Sequence, residues 1–229
     1  MNKTKKIIIF ISLLLLLLLW GGIPQIILII FKLDYDKIPD SMKVLLSFIN
    51  DLLLLIIFIS IYKKTIKKDF HDYFNKNYKN NIKESFSTWL IGFGIMIASN
   101  LLIAILTKGQ LSQNEETVRG LIDKYPLYMA FQVMLYAPIT EELIFRKSIK
   151  DFITNKKLYI IISGLIFGGL HVITSITSNP LSYLYLIPYC SLGFVFAYLY
   201  QKTDNIFSTI VAHSFHNSLA LLIYMRRLF

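Results

Sequence analysis

The stretch Tyr136 to Arg146, YAPITEELIFR, sets two adjacent carboxylates and an arginine inside an otherwise apolar run. A bilayer interior penalises ionisable groups, so a cluster of this kind marks a functional site by default. On a helix Glu142 and Arg146 stand at i and i+4, on one face, where each offsets the desolvation of the other. Glu141 points about 100° away and has no such partner. A lone carboxylate in a low-dielectric place can take and return protons near neutral pH, which is what a general base must do. The competing reading is a helix end with solvated charges and a snorkelling arginine.

Two further stretches favour chemistry. GLIFGGLH, Gly164 to His171, holds two glycines at small-xxx-small spacing, which lets another helix approach closely and delivers His171 into a packed interior. HSFHN puts His213 and Asn217 at i and i+4 on one face, while His216 falls one residue short and is expected to be structural. A single membrane histidine is more often a satisfied packing residue, but three of the chain's four lie in apolar runs. At 1.5 Å per residue from the expected inner boundaries, Glu141 and His213 lie about 10 Å deep, Asn217 about 16 Å and His171 about 20 Å. These depths are compatible with one site. Glu141 with His171 could hold and deprotonate a water, and His213 with Asn217 could donate hydrogen bonds to a developing oxyanion. That is the apparatus of peptide-bond hydrolysis.

The elements that must position these groups are membrane spans. Of 229 residues 55% are hydrophobic, and the mean hydropathy is +0.57. The expected fold is all-α, a polytopic transmembrane bundle of about seven spans, seven or eight, organised as N-terminal spans and a basic loop over 1–125 and a catalytic helical core over 126–229. Residues 1–31 open like a signal peptide but lack a small-residue cleavage site, so they read as an uncleaved span broken near Pro24. The other spans are expected at Val44 to Tyr62, Trp89 to Leu106, Pro126 to Lys147, Leu158 to Ile173, Leu181 to Tyr200 and Ile206 to Met225. Asp51, inside the second, reads as structural polar packing. Lys63 to Lys83, with His71, reads as a solvated loop, and Glu115 to Tyr125 as a short interfacial amphipathic helix.

The formal charge of +10 resides in short loops beside apolar runs, where orientation signals and anionic-lipid contacts belong, so nucleic acid is not an expected partner. The segments that an inside N-terminus makes internal carry about twice the lysine and arginine of the external ones, although Arg226 and Arg227 at the outer end run against that bias. Cys190 is the sole cysteine, which leaves no disulfide framework and no cysteine metal site.

EExxxR at Glu141 to Arg146, FxxxH at Phe167 to His171 and HxxxN at His213 to Asn217 stand in this order in successive apolar segments. The chain from about Tyr136 to Tyr224 thereby resembles the CPBP intramembrane proteases, which include type II CAAX prenyl endopeptidases and bacteriocin-processing and immunity proteins. The resemblance implies that Glu141 and His171 activate water, that His213 and Asn217 stabilise the oxyanion, and that Glu142 and Arg146 support the site. The family is often labelled metalloprotease, and Glu141, His171 and His213 could ligate zinc with an open water position. A Glu and a His acting directly on water need no metal, and no HExxH is present, so no cofactor is the favoured expectation.

The expected function is an intramembrane endopeptidase acting on a peptide or a membrane-associated protein tail, in a bacterial plasma membrane with a cytoplasmic N-terminus. A non-catalytic membrane immunity or accessory protein of the same family is the alternative. A proton-coupled transporter is weaker, because no internal repeat is evident.

Overall fold

The computed structural model describes residues 2–176 and 180–226; Arg227 lies outside them. Among the described residues the regular structure is entirely helical. The first helix, α1 (Lys3–Trp20), is capped by Asn2, whose side chain accepts the Lys5 N–H at 2.9 Å. The chain then bends by 60° into α2 (Ile23–Ile30). The break falls at Gly21 and Gly22, two residues before Pro24 and so near the expected place. Pro24 sits in the first turn of α2, where its missing N–H has no intrahelical acceptor to lose.

The remaining long elements are α3 (Asp40–Ile61), α5 (Tyr78–Leu106), α10 (Lys156–Ile176), α11 (Leu186–Thr203) and α12 (Ile206–Met225). Among the described residues five helical segments are long and apolar enough to cross a membrane, or six if the bent α1 and α2 pair is one span. The difference from seven lies in the expected fourth span. Residues 126–152 are helical throughout but change winding: α7 (Pro126–Phe131), a π turn (Gln132–Tyr136), α8 (Ala137–Glu141), a second π turn (Glu142–Ser148) and α9 (Ile149–Phe152). Large apolar side chains such as Ile29, Leu53, Leu102 and Ile105 remain exposed, as a lipid-facing surface requires. This is an integral membrane protein.

Three boundaries differ from expectation. The supposed loop Lys63 to Lys83 is α4 (Lys63–Asn75) followed by the first turns of α5. Its lysines mask a helical stripe of Ile66, Asp69 and Tyr73, whose inner members are buried, with Tyr73 Oη 3.1 Å from Ser85 Oγ. The expected sixth span begins with a 3₁₀ segment (Pro180–Tyr185) before α11. The amphipathic helix is α6 (Gln113–Lys124), capped by Ser112, and its apolar face packs Ile122 against Met129 of α7 and Leu221 of α12. It is occupied by protein rather than left to lipid.

The core joins both halves of the chain: Phe10 and Leu13 of α1 and Leu54 and Phe58 of α3 pack with Leu143, Ile144 and Phe145 and with Phe167 of α10. The α10 and α11 pair is the closest approach. A Cβ on Gly168 would lie 2.4 Å from Cys190 Sγ and 2.7 Å from the Cys190 backbone nitrogen, and one on Gly164 would lie 2.1 Å from the Phe194 ring. Gly168→Ala is therefore expected to cost about 1–3 kcal/mol, because a backbone atom must move to admit the methyl group. A thermal melt in detergent checks this; an unchanged melting temperature would show that the two helices separate without penalty.

Candidate active site

Glu142 and Arg146 are wholly buried, with Arg146 Nε 3.0 Å from Glu142 Oε2. The i,i+4 pairing expected from sequence is present inside a π turn, as an ion pair whose facing atoms are not aligned for a hydrogen bond. Arg146 is held otherwise. Its Nη1 donates to Ser163 Oγ at 3.1 Å, and that hydroxyl donates to the Phe145 carbonyl at 2.6 Å. The guanidinium lies 4.7 Å from the Phe167 ring centroid and 5.9 Å from that of Phe196, so aromatic faces cover nitrogens that make no hydrogen bond.

The other oxygen of Glu142, Oε1, stands 2.9 Å from His213 Nδ1. A carboxylate against an arginine offers only acceptors, so Nδ1 carries the proton and donates. His213 Nε2 then faces Glu141 Oε2 at 3.9 Å. Its ring is clamped between Phe196, stacked at 5.1 Å, and Phe167, edge-on at 5.9 Å. Arg146, Glu142, His213 and Glu141 thus form one line of alternating functional groups running outward from the core. Glu141, expected to lack a partner, is the outermost of them and keeps 18% of its side chain exposed.

Glu141 of α8, His171 of α10, and His213 and Asn217 of α12 line one cavity of about 260 Å³. His171 Nδ1 is 2.7 Å from the Phe167 carbonyl, which accepts only, so Nε2 holds the lone pair. Tyr189 stacks on the His171 ring with centroids 5.0 Å apart and planes 24° from parallel. Asn217 Nδ2 donates to the Val133 carbonyl at 2.8 Å, inside the first π turn. One amide N–H is so engaged, and the acceptor it meets fixes which way the amide faces.

Two elements outside the motifs steady these groups. Asp69 of α4 accepts the Ile206 N–H at 2.9 Å, and Asn205 donates to the Asp69 carbonyl, so α4 anchors the end of the helix that carries His213 and Asn217. A carboxylate at that N-terminus also suits the helix dipole. Asp51 Oδ2 accepts from Tyr128 Oη at 2.7 Å and from Gln132 Nε2 at 2.5 Å, pinning the start of the π turn that supplies Val133. Asp51 is buried and polar-bonded, as its reading as structural packing requires. His71 is exposed on α4, away from the site.

His216 accepts the Trp89 indole N–H at 3.3 Å and borders the same cavity. Among the described residues no group of three His, Cys, Asp or Glu is placed to hold a metal ion. Glu141, His171 and His213, the zinc set left open by the sequence, all line the cavity, with His213 Nδ1 turned to Glu142 and His171 Nδ1 to the Phe167 carbonyl. Ser163, Tyr189 and Val133 are the contributors that spacing did not reveal. A serine or tyrosine in an apolar run has many uses, and a carbonyl freed by a π turn has no side-chain signature.

The type II CAAX prenyl endopeptidase Rce1-like family profile matches residues 123–219. The chain is 30% identical over 170 residues to the UPF0177 protein YxdF of Lactococcus lactis subsp. lactis (strain IL1403), covering 71% of this chain and 86% of that protein. It is also 30% identical over 132 residues to the "Putative membrane peptidase YdiL" of Bacillus subtilis (strain 168), covering 56% of this chain and 50% of that one. An uncharacterized protein of Mycoplasma capricolum subsp. capricolum shares 28% identity over 191 residues, which is 54% of its length. The chain thus spans about half of the latter two relatives. No solved structure matches it. With EExxxR, FxxxH and HxxxN falling inside the matched residues, the chain belongs to the type II CAAX prenyl endopeptidase Rce1-like family of membrane proteases.

Proposed function

We propose that the protein is an intramembrane endopeptidase that hydrolyses a peptide bond by water held between Glu141 and His171. The observation that carries this is the convergence of Glu141, His171, His213 and Asn217, from three separate helices, on one cavity. His171 Nε2 accepts one hydrogen bond from the water while Glu141 removes a proton. The oxygen adds to the scissile carbonyl carbon, and the carbonyl oxygen gains the negative charge. His213 Nε2–H, when the ring carries its second proton between the two carboxylates, and the free N–H of Asn217 receive that oxyanion. Glu141 then returns its proton to the departing amine as the C–N bond breaks. Glu142 and Arg146 keep His213 in place.

In this reading the mechanism needs no metal. Cleavage of peptides by the purified protein in nanodiscs, followed by mass spectrometry with and without a zinc chelator, tests it. Chelator-resistant cleavage that disappears in Glu141→Ala, with expression intact, is the expected result. Chelator-sensitive cleavage restored by zinc would replace it with a metal mechanism, and a Glu141→Ala variant that retains function without cleavage would point to the immunity or accessory role. Asn217→Ala is expected to lower kcat by about 10²–10³-fold with KM little changed, because its hydrogen bond strengthens only as the oxyanion forms. A change confined to KM would move Asn217 from oxyanion donor to substrate contact.

The substrate class is a peptide or the tail of a membrane protein. A cytoplasmic N-terminus in a bacterial plasma membrane is part of the same proposal, supported by the loop lysine bias and by relatives from bacteria.

A further inference from the structure

Helix α6 closes one side of the cavity. Asn114, Glu115, Val118, Arg119 and Ile122 all line it. Two tyrosines hold the helix down. At its start Tyr189 Oη lies 3.0 Å from Ser112 Oγ and accepts from Asn114 Nδ2 at 3.1 Å. At its end Arg119 lies over the Tyr224 ring at 5.0 Å, and Tyr224 Oη donates to Asp123 at 2.9 Å. Apart from Ile122 few apolar side chains of α6 are buried, so polar contacts carry much of its docking. Elements held in this way open at low cost. The cavity of about 260 Å³ is partly open, and α6 forms one of its walls.

The phenol that latches α6 is the same group that stacks on His171. Its hydroxyl faces the helix and its ring faces the imidazole. The His171 ring has two further restraints, the Nδ1 hydrogen bond to the Phe167 carbonyl and the Phe167 ring 4.5 Å away and tilted by 41°, and Tyr189 is the neighbour that lies nearest to parallel with it. We propose that Tyr189 is a positioning residue that couples docking of α6 over the cavity to the orientation of His171. With α6 docked, the phenol is fixed from one side and aligns the imidazole on the other. With α6 lifted to admit a peptide, the phenol loses both polar partners and the imidazole loses its alignment, so water activation follows closure. This role rests on the protease reading for its purpose, though not for its geometry.

The test uses the whole protein in nanodiscs and readouts that need no turnover. Hydrogen exchange over 113–124 reports the latch. The ring resonances of ¹³C-labelled histidine, with His171 assigned by His171→Gln, report the coupling. Asn114→Ala touches Tyr189 but is not a contact of His171. It is expected to speed exchange of α6 by roughly tenfold and to shift the His171 resonance. Tyr189→Phe keeps the ring and removes the hydroxyl, so it should do the same, and the double variant should go no further than Tyr189→Phe alone. Exchange unchanged in both single variants would remove the latch. Faster exchange with an unmoved His171 resonance would leave a lid without coupling and overturn the proposal. Both results stand whether or not the wild type cleaves peptides, which separates failure of the coupling from failure of the protease reading. If cleavage is found, Tyr189→Phe should lower kcat through the lost latch, and Tyr189→Leu, which removes the aligning ring as well, should lower it further, by at least about tenfold relative to wild type. Equal effects of the two on kcat would count against a ring that orients His171.

Discussion

Glu141→Gln is expected to slow peptide cleavage by about 10³-fold, with substrate binding and thermal stability close to wild type. Glutamine has nearly the same size and can still hydrogen-bond a water, but it cannot accept the water's proton. Glu141 faces the cavity with its side chain 18% exposed, and His213 Nε2 lies 3.9 Å from its carboxylate. No core contact depends on its charge. Steady-state kinetics together with a melting curve separate the two quantities. A loss of both rate and stability would make Glu141 a packing residue, and an unchanged rate would remove it from the chemistry.

The residue beside it should behave in the opposite way. Glu142 and Arg146 have no exposed side-chain surface, and Arg146→Met strands a carboxylate in the core beside His213 and the Thr209 hydroxyl. Breaking a buried pair from one side costs about 3–5 kcal/mol, whereas replacing both partners with neutral groups is often close to harmless. Arg146→Met is therefore expected to melt far below wild type, and Glu142→Gln with Arg146→Met to recover much of the loss. The double variant should stay slow, because His213 then lacks the carboxylate that fixes its tautomer. Thermal unfolding in detergent reads the first effect and kcat the second. A stable Arg146→Met single variant would show that water reaches the pair.

The legible part of the site was what periodicity can carry. Glu142 and Arg146 at i and i+4, the two glycines before His171, and His213 with Asn217 on one face all follow from helical spacing, and the structure brings the four named groups to one cavity. What spacing could not show is which atom meets which. The bridge from Glu142 to His213 crosses 71 residues, and the contact of Asn217 with Val133 depends on a π turn that no residue pattern in QVMLY announces. The lysines of α4 concealed an amphipathic helix because charge was so dense around Ile66, Asp69 and Tyr73. That helix matters, since Asp69 holds the N-terminus from which His213 and Asn217 are measured out. The same limit applied to span counting: residues 126–152, expected as the fourth span, are helical throughout, but π turns divide them into pieces, each too short to cross a membrane alone.

The most direct test is hydrolysis in H₂¹⁸O by purified protein in nanodiscs, with the products of a peptide library read by mass spectrometry. Wild type should yield fragments whose new carboxyl carries one ¹⁸O from the activated water, and neither Glu141→Gln nor His171→Ala should yield them at a comparable rate. Equal product from Glu141→Gln and wild type would contradict the assignment of this cavity as the place where the peptide bond is broken.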